Sequence, residues 1–252
     1  MIRSLYTTRR YMNVLQKKQE NTSSNIANVN TYGYKFQNVI HSTLESQDLI
    51  NYSGGNNINE KQHLGEYTFG NQIDEVYSNY VQGNLIETHQ DKDFAINGEG
   101  FFAVQLEDGK IGFTRNGNFK LNENNQLTTM EGYNVLGVDN NDEISYITLD
   151  ESEVDIKNTG DITGTNLKLI VVGFEDENSL KKYGDTIYTT DENQINIIQG
   201  NIQQGFLEAS NVSLVSEMVK MIEISREFES NQKVLQSSNE TLSKAVNEVG
   251  KV

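Results

Sequence analysis

Leu214-Val215-Ser216-Glu217-Met218-Val219-Lys220-Met221-Ile222-Glu223-Ile224-Ser225-Arg226-Glu227-Phe228 begins a long run of regularly spaced apolar residues towards the end of the sequence. Steps of four and three from Leu214 land on Leu214, Met218, Met221, Ser225, Phe228, Gln232, Leu235, Asn239, Leu242, Val246 and Val249. Eight of these eleven are apolar, and the alternation is the heptad seam of a coiled coil. Val215 and Ile222 widen the stripe, while Glu217, Lys220, Glu223, Glu227, Lys233 and Glu240 fall on the face assigned to water. Gln204–Val252 therefore reads as one helix, and its part from Leu207 to Val249 would run about 65 Å at about 1.5 Å per residue. A small domain does not need such a helix for its own core, so the stretch asks for partners.

The other end of the chain offers one. The same stepping gives Met1, Leu5, Thr8, Met12, Leu15, Gln19, Thr22, Ile26 and Val29, six of the nine apolar. Two readings stay open from spacing alone: a helical hairpin packed on its own domain, or two helices that meet other copies.

Working inward, 252 residues suit one large domain or two small ones. The absence of cysteine excludes disulfides and thiolate metal sites. His41, His63 and His89 lie far apart and share no ligand spacing, so no metal and no cofactor is expected. Proline is also absent, where average usage of about 5% would give roughly twelve, and Asn and Gly must supply the turns. The net charge of -16 is unevenly placed. Residues 1–40 carry six Lys/Arg against one acidic residue, 205–252 carry five against seven, and 41–204 carry nine against twenty-eight. So acidic a middle repels nucleic acid. The basic residues at the front (Arg3, Arg9, Arg10, Lys17, Lys18) form no tight run for a membrane surface. No apolar stretch approaches the ~20 residues of a membrane span, and the start lacks the apolar region of a cleaved signal peptide.

The first helix should fade near Asn28 to Gly33, with Gly33 as its stop. A polar, poorly periodic segment from Gln37 to Asp74 follows, extended or hairpin-like, with a turn at Gly54–Asn57. Short alternating strands come next. Phe101–Leu106 meets Ile111–Thr114 across Glu107–Lys110, a hairpin with a four-residue loop, and Asn116-Gly117 and Glu131-Gly132 mark further turns. Strands are expected at Tyr133–Val138, Ile144–Leu149, Leu167–Phe174 and Thr186–Thr189. The fold class is thus α+β: long N- and C-terminal coiled-coil-type helices around a mainly antiparallel β middle. The expected parts are a helix over 1–33, an extended segment over 34–74, a β-rich domain over 75–203 and a helix over 204–252.

Catalytic signatures are wanting. Asp139-Asn140-Asn141-Asp142-Glu143 alternates oxygen side chains as calcium loops do, but Ile144 replaces the glycine and Asp150 the final glutamate. Gly98-Glu99-Gly100 runs into a phenylalanine pair, which suits a tight bend before a strand and not a dinucleotide loop. Neither a Gly-x-Ser-x-Gly elbow nor an HExxH occurs. The chain is not expected to be an enzyme.

A family resemblance enters with several motifs in order. Ser24-Asn25-Ile26-Ala27-Asn28-Val29-Asn30-Thr31-Tyr32-Gly33-Tyr34-Lys35 resembles a signature of bacterial flagellar rod and hook proteins, with Tyr34 where Phe is usual. Tyr80–Leu85 (YVQGNL), Phe94–Phe102 (FAINGEGFF), Phe113–Phe119 (FTRNGNF) and Gln204–Val212 (QGFLEASNV) resemble further motifs of that family, and Glu217-Met218 with Met221-Ile222 continues the last. The opening Met1–Tyr6 resembles the distal-rod branch, with a proximal rod subunit as the alternative. Thr88–Asp93 and Glu175–Leu180 replace turns that contain proline in the family.

The resemblance implies a rod subunit whose terminal helices form the inner tube of a hollow helical homopolymer. Its β domain would lie outside and the segment from 34 to 74 would bridge to neighbouring copies. The implied partners are other axial proteins (proximal rod subunits and hook protein), the flagellar type III export apparatus and the ring bushing in the cell wall. The implied place is the basal body outside the cytoplasmic membrane, without membrane insertion. Seams and motifs together give the expected assembly surface. It comprises Leu5, Met12, Leu15, Asn25, Ile26, Asn28 and Gly33 at the front, and Ser210, Asn211, Leu214, Met218, Met221, Ile222, Arg226, Phe228, Leu235 and Leu242 at the back. Because isolated helices are marginal, the terminal segments are expected to order on polymerisation. A reading of another class is a coiled-coil adaptor or adhesin with a ligand-binding β domain.

Overall fold

The computed structural model describes residues 2–53, 60–139, 143–149, 155–163, 165–191 and 196–249. The chain is α+β, with a helix towards each end and a mainly antiparallel β middle. It divides into two compact units: Met1–Ile26, Gln37–Tyr77 and Leu214–Val252 form one, Ala27–Phe36 and Ser78–Ser213 the other.

The helical unit holds α1 (Ile2–Ala27), free of glycine and proline throughout, and α2 (Leu214–Lys244), which continues into a π-type turn at Ala245–Val249. Asn25 Nδ2 donates to Glu217 Oε2 at 2.9 Å and the Tyr11 hydroxyl to Glu227 Oε2 at 3.0 Å, so the helices run antiparallel. β1 (Gln37–Thr43), β2 (Ser46–Ser53), β3 (Glu60–Thr68) and β4 (Asn71–Ser78) make a long ribbon. β1 pairs with β4 and β2 with β3, from Ser46 opposite Thr68 to Ser53 opposite Glu60 with a bulge at Leu49/Ile50. Leu44 N–H donates to Gly70 O at 2.9 Å and carries the pairing across the break. The expected turn at Gly54–Asn57 lies outside the described residues.

The β unit runs through β5 (Leu85–Glu87), β6 (Phe94–Asn97), β7 (Phe101–Gln105), β8 (Ile111–Thr114), β9 (Phe119–Leu121), β10 (Leu127–Thr129), β11 (Asn134–Asp139) and β12 (Ile144–Tyr146). It continues through β13 (Leu167–Leu169), β14 (Val171–Gly173), β15 (Lys181–Lys182), β16 (Ile187–Thr189), β17 (Asn196–Ile198), β18 (Asn201–Gln204) and β19 (Phe206–Glu208). The main sheet has the order β15-β16-β8-β7-β11-β10-β9, with β14 also on β7. The expected hairpin is present as β7 and β8, with Ala103 opposite Phe113. Successive side chains of β7 point to opposite faces. Phe102 and Val104 enter one core cluster with Phe94, Leu127, Val135 and Ile202; Phe101 and Ala103 enter another with Tyr80, Phe113, Leu136 and Tyr188. Burial on both faces explains why this strand reads as unbroken apolar sequence.

Three expectations are corrected. The C-terminal helix starts at Leu214, not Gln204 or Leu207. Residues 201–208 are β18, paired with β6, and β19, paired with β5, and between them Gly205 adopts φ +77, which ends any helix phase. At the front, α1 ends at Ala27 and Gly33 is not its stop. Gly33 (φ +69) is a point of close approach, where an added Cβ would lie 2.3 Å from Asn116 N. Finally, the expected strand Leu167–Phe174 is two strands, because the chain leaves β11 at Leu169 and pairs with β7 from Val171.

Candidate functional site

The outward face of the helical unit is the first feature to set against the expected assembly surface. On α2 only Glu217 and Ile224 are buried, and half-buried Met221, Phe228, Leu235 and Leu242 extend their line in four-three steps. The seam on α2 is therefore rotated from the one read in the sequence. Glu217, assigned to water, is 2% exposed, whereas Leu214, Met218 (49%) and Ile222 (53%) face solvent with Val215 and Val219. The reason is local. Asn25 on α1 offers its amide to both the Glu217 carboxylate and the backbone of Gln37, accepting from Gln37 N–H at 3.1 Å and donating to Gln37 O at 2.8 Å. Lys220 Nζ donates to the other Glu217 oxygen at 2.7 Å. A buried carboxylate with two donors is tolerated where an unpaired one is not, so this junction fixes the helix phase.

Leu15, Asn25 and Gly33 are buried within their own units. Leu5, Met12, Ile26, Asn28, Ser210 and Asn211 are half-buried, and Arg226 is exposed. The structure thus gathers Leu214, Met218 and Ile222 into one uncovered apolar patch and does not place the other residues in it.

The second feature lies in the β unit, where the family-like motifs converge. Lys35, Glu208 and Arg115 are side chains exposed by no more than 2%. Glu208 Oε1 accepts from Lys35 Nζ at 2.6 Å and from Gly83 N–H at 2.9 Å, and Oε2 accepts from Arg115 Nη1 at 3.2 Å. Lys35 Nζ also donates to Val81 O at 3.0 Å, and the Arg115 guanidinium sits 5.1 Å from the Phe101 ring centroid. Burial pulls the Lys35 and Arg115 pKa values below their usual levels, and the Glu208 carboxylate opposes this in both. Asn211 completes the site: its Oδ1 accepts from Phe36 N–H at 2.7 Å and its Nδ2 donates to Asn79 O and Val81 O. Gly83 has to be glycine, since a Cβ there would stand 2.0 Å from Ala209 O. Lys35, Arg115, Gly83 and Glu208 all lie in the quoted motifs, but nothing in their spacing revealed that they meet. The pairs are separated by 173 and 93 residues.

Gly98 and Gly100 (φ +115 and +113) make the expected bend, and β7 follows directly. Among the described residues no group of three or more His, Asp or Glu side chains could hold a metal ion, and the calcium-like stretch falls partly outside them. No helix among them is long and apolar enough to cross a membrane.

An α+β chain with antiparallel terminal helices, an uncovered apolar patch and a motif-built buried clamp has the design of a structural subunit. Comparison with known proteins makes this specific. The family model described as "Flagella basal body rod protein" matches residues 5–35, "Flagellar hook protein FlgE/F/G D1 domain" matches 95–164, and "Flagellar basal body rod FlgEFG protein C-terminal" matches 203–248. The flagellar basal-body rod protein FlgG of Buchnera aphidicola subsp. Schizaphis graminum is 32% identical over 97% of this chain and 98% of its own. FlgG of Bacillus subtilis is 31% identical, covering 98% and 99%, and the rod protein FlgF of Caulobacter vibrioides is 31% identical over the full length of both. The chain belongs to the flagellar basal-body rod family, a family of structural proteins and not of enzymes.

Proposed function

We propose that the chain is a structural subunit of the flagellar basal-body rod, most similar to the FlgG type and so suited to the distal rod. It polymerises into a hollow helical shaft that passes torque from the motor to the hook. The helical parts of 1–33 and 204–252 form the inner core through coiled-coil contacts, 34–74 bridges to neighbouring copies, and the β-rich 75–203 lies outside. Its partners are copies of itself, other axial proteins including proximal rod subunits and hook protein, the type III export apparatus and the ring bushing. Its place is the basal body beyond the cytoplasmic membrane.

The observation that carries this reading is the uncovered patch of Leu214, Val215, Met218, Val219 and Ile222 on a helix with only two buried residues. A contiguous apolar surface of this kind marks a contact site. Contacts between different patches on successive copies, which do not close, build filaments. The antiparallel helices with four-three covered positions support the coiled-coil part.

Electron microscopy of concentrated protein tests the proposal. Wild type should form rods or tubes, and Ile222→Asp should form none while keeping the β unit folded. Discrete dimers from wild type would favour the adaptor reading instead.

A further inference from the structure

Two cations and one carboxylate buried together do not by themselves favour a fold. Well-packed apolar side chains of similar volume often serve as well or better, and the best-attested use of such clusters is to fix register. In the β unit the cluster joins two particular pieces of chain. Gly33–Phe36 is the segment reached from α1, and Glu208–Asn211 is the segment that leads into α2. Three direct links connect them: Gly33 N–H to Glu208 O at 2.8 Å, Lys35 Nζ to the Glu208 carboxylate, and Phe36 N–H to the Asn211 side chain. Arg115, from the turn after β8, and Gly83 hold the same carboxylate from the body of the unit.

We propose that Glu208, gripped by Lys35 and Arg115, is a positioning group that fixes the spacing between the segments leading to α1 and α2 in the free monomer. Sliding either segment by one residue would bring Tyr34 or Phe36 to the carboxylate in place of the Lys35 ammonium, and would leave a buried charge short of a partner. Apolar packing alone tolerates such a slip; a directed ion cluster does not. The inference concerns the monomer and stands apart from polymerisation.

The chain has no cysteine, so spin labels can be placed at two chosen positions. Asn30→Cys and Ser213→Cys put them on exposed sites beside the two segments. Pulsed dipolar measurements on dilute protein should give one narrow distance distribution in the otherwise wild-type chain. Lys35→Met, and the triple change Lys35→Met, Arg115→Met, Glu208→Leu, should each broaden it by about a factor of two. In the triple variant the near-ultraviolet melting midpoint of the β unit should stay level or rise, which separates positioning from stability. A narrow distribution in Lys35→Met, which keeps the neutral Glu208–Arg115 pair, overturns the proposal whether or not the triple variant folds. So does a broad distribution in the parent chain, or broadening in the triple variant that merely tracks a lowered midpoint.

Discussion

The β unit and the helical unit use the same alphabet to opposite ends. In the β unit, Phe94, Phe102, Val104, Leu127 and Val135 vanish from solvent into a cluster shared by many strands. In the helical unit, a 31-residue helix buries two side chains and leaves five neighbouring apolar residues in water. The helix, by contrast with the sheet, is an amphipathic element that leaves an apolar face uncovered.

Four measurements test that contrast. The largest effect belongs to Phe102→Ala, which empties a fully buried site against Phe119 (ring centroids 5.4 Å apart). A loss of about 3–5 kcal/mol is expected in denaturant unfolding of the β unit; a loss below about 1 kcal/mol would show that the core is not the closed structure described. Next comes Gly83→Ala. Its Cβ would collide with a backbone oxygen and not with a flexible side chain. The loss should be about 1–3 kcal/mol, and an unchanged midpoint would mean that the clamp can shift to make room.

On the helical unit, Ile222→Ala should change monomer stability by no more than about 0.5 kcal/mol while sharply lowering the yield of rods. Equal loss in both measurements would place Ile222 inside the monomer's own packing. The smallest effect concerns pH. His41, beside the Tyr11 ring at 6.4 Å between centroids, is held below the usual imidazole range by partial burial and by Lys18, with Glu227 opposing. The unfolded chain then takes up the proton first as pH falls. Stability of the helical unit should decline through the ordinary histidine pKa of about 6.5 and level off below the folded value. Thermal unfolding at pH 7.5 and 5.5 should show a smaller difference for His41→Gln than for wild type; identical differences would remove His41 from the account.

The β7–β8 hairpin was legible because its loop residues and apolar pattern act within one short stretch, Phe101 to Thr114. The phase of α2 was not. Periodicity named the line through Leu214, Met218 and Ser225, whereas the covered line runs through Glu217 and Ile224, and Glu217 is held inside by Asn25, 192 residues away. The start of α2 was misplaced for a related reason: Leu207 fits a helical seam by spacing, yet its backbone is committed to Ile86 across a sheet.

By itself, then, the sequence determined the two helical ends, the antiparallel β middle, the absence of disulfides and the family, since these follow from local periodicity, turn chemistry, composition and ordered motifs. Only the tertiary structure decided which face of α2 stays wet and which charged residues go inside. Burial of Glu217 and of the Lys35–Glu208–Arg115 cluster becomes tolerable only once partners far along the chain are brought within hydrogen-bonding distance.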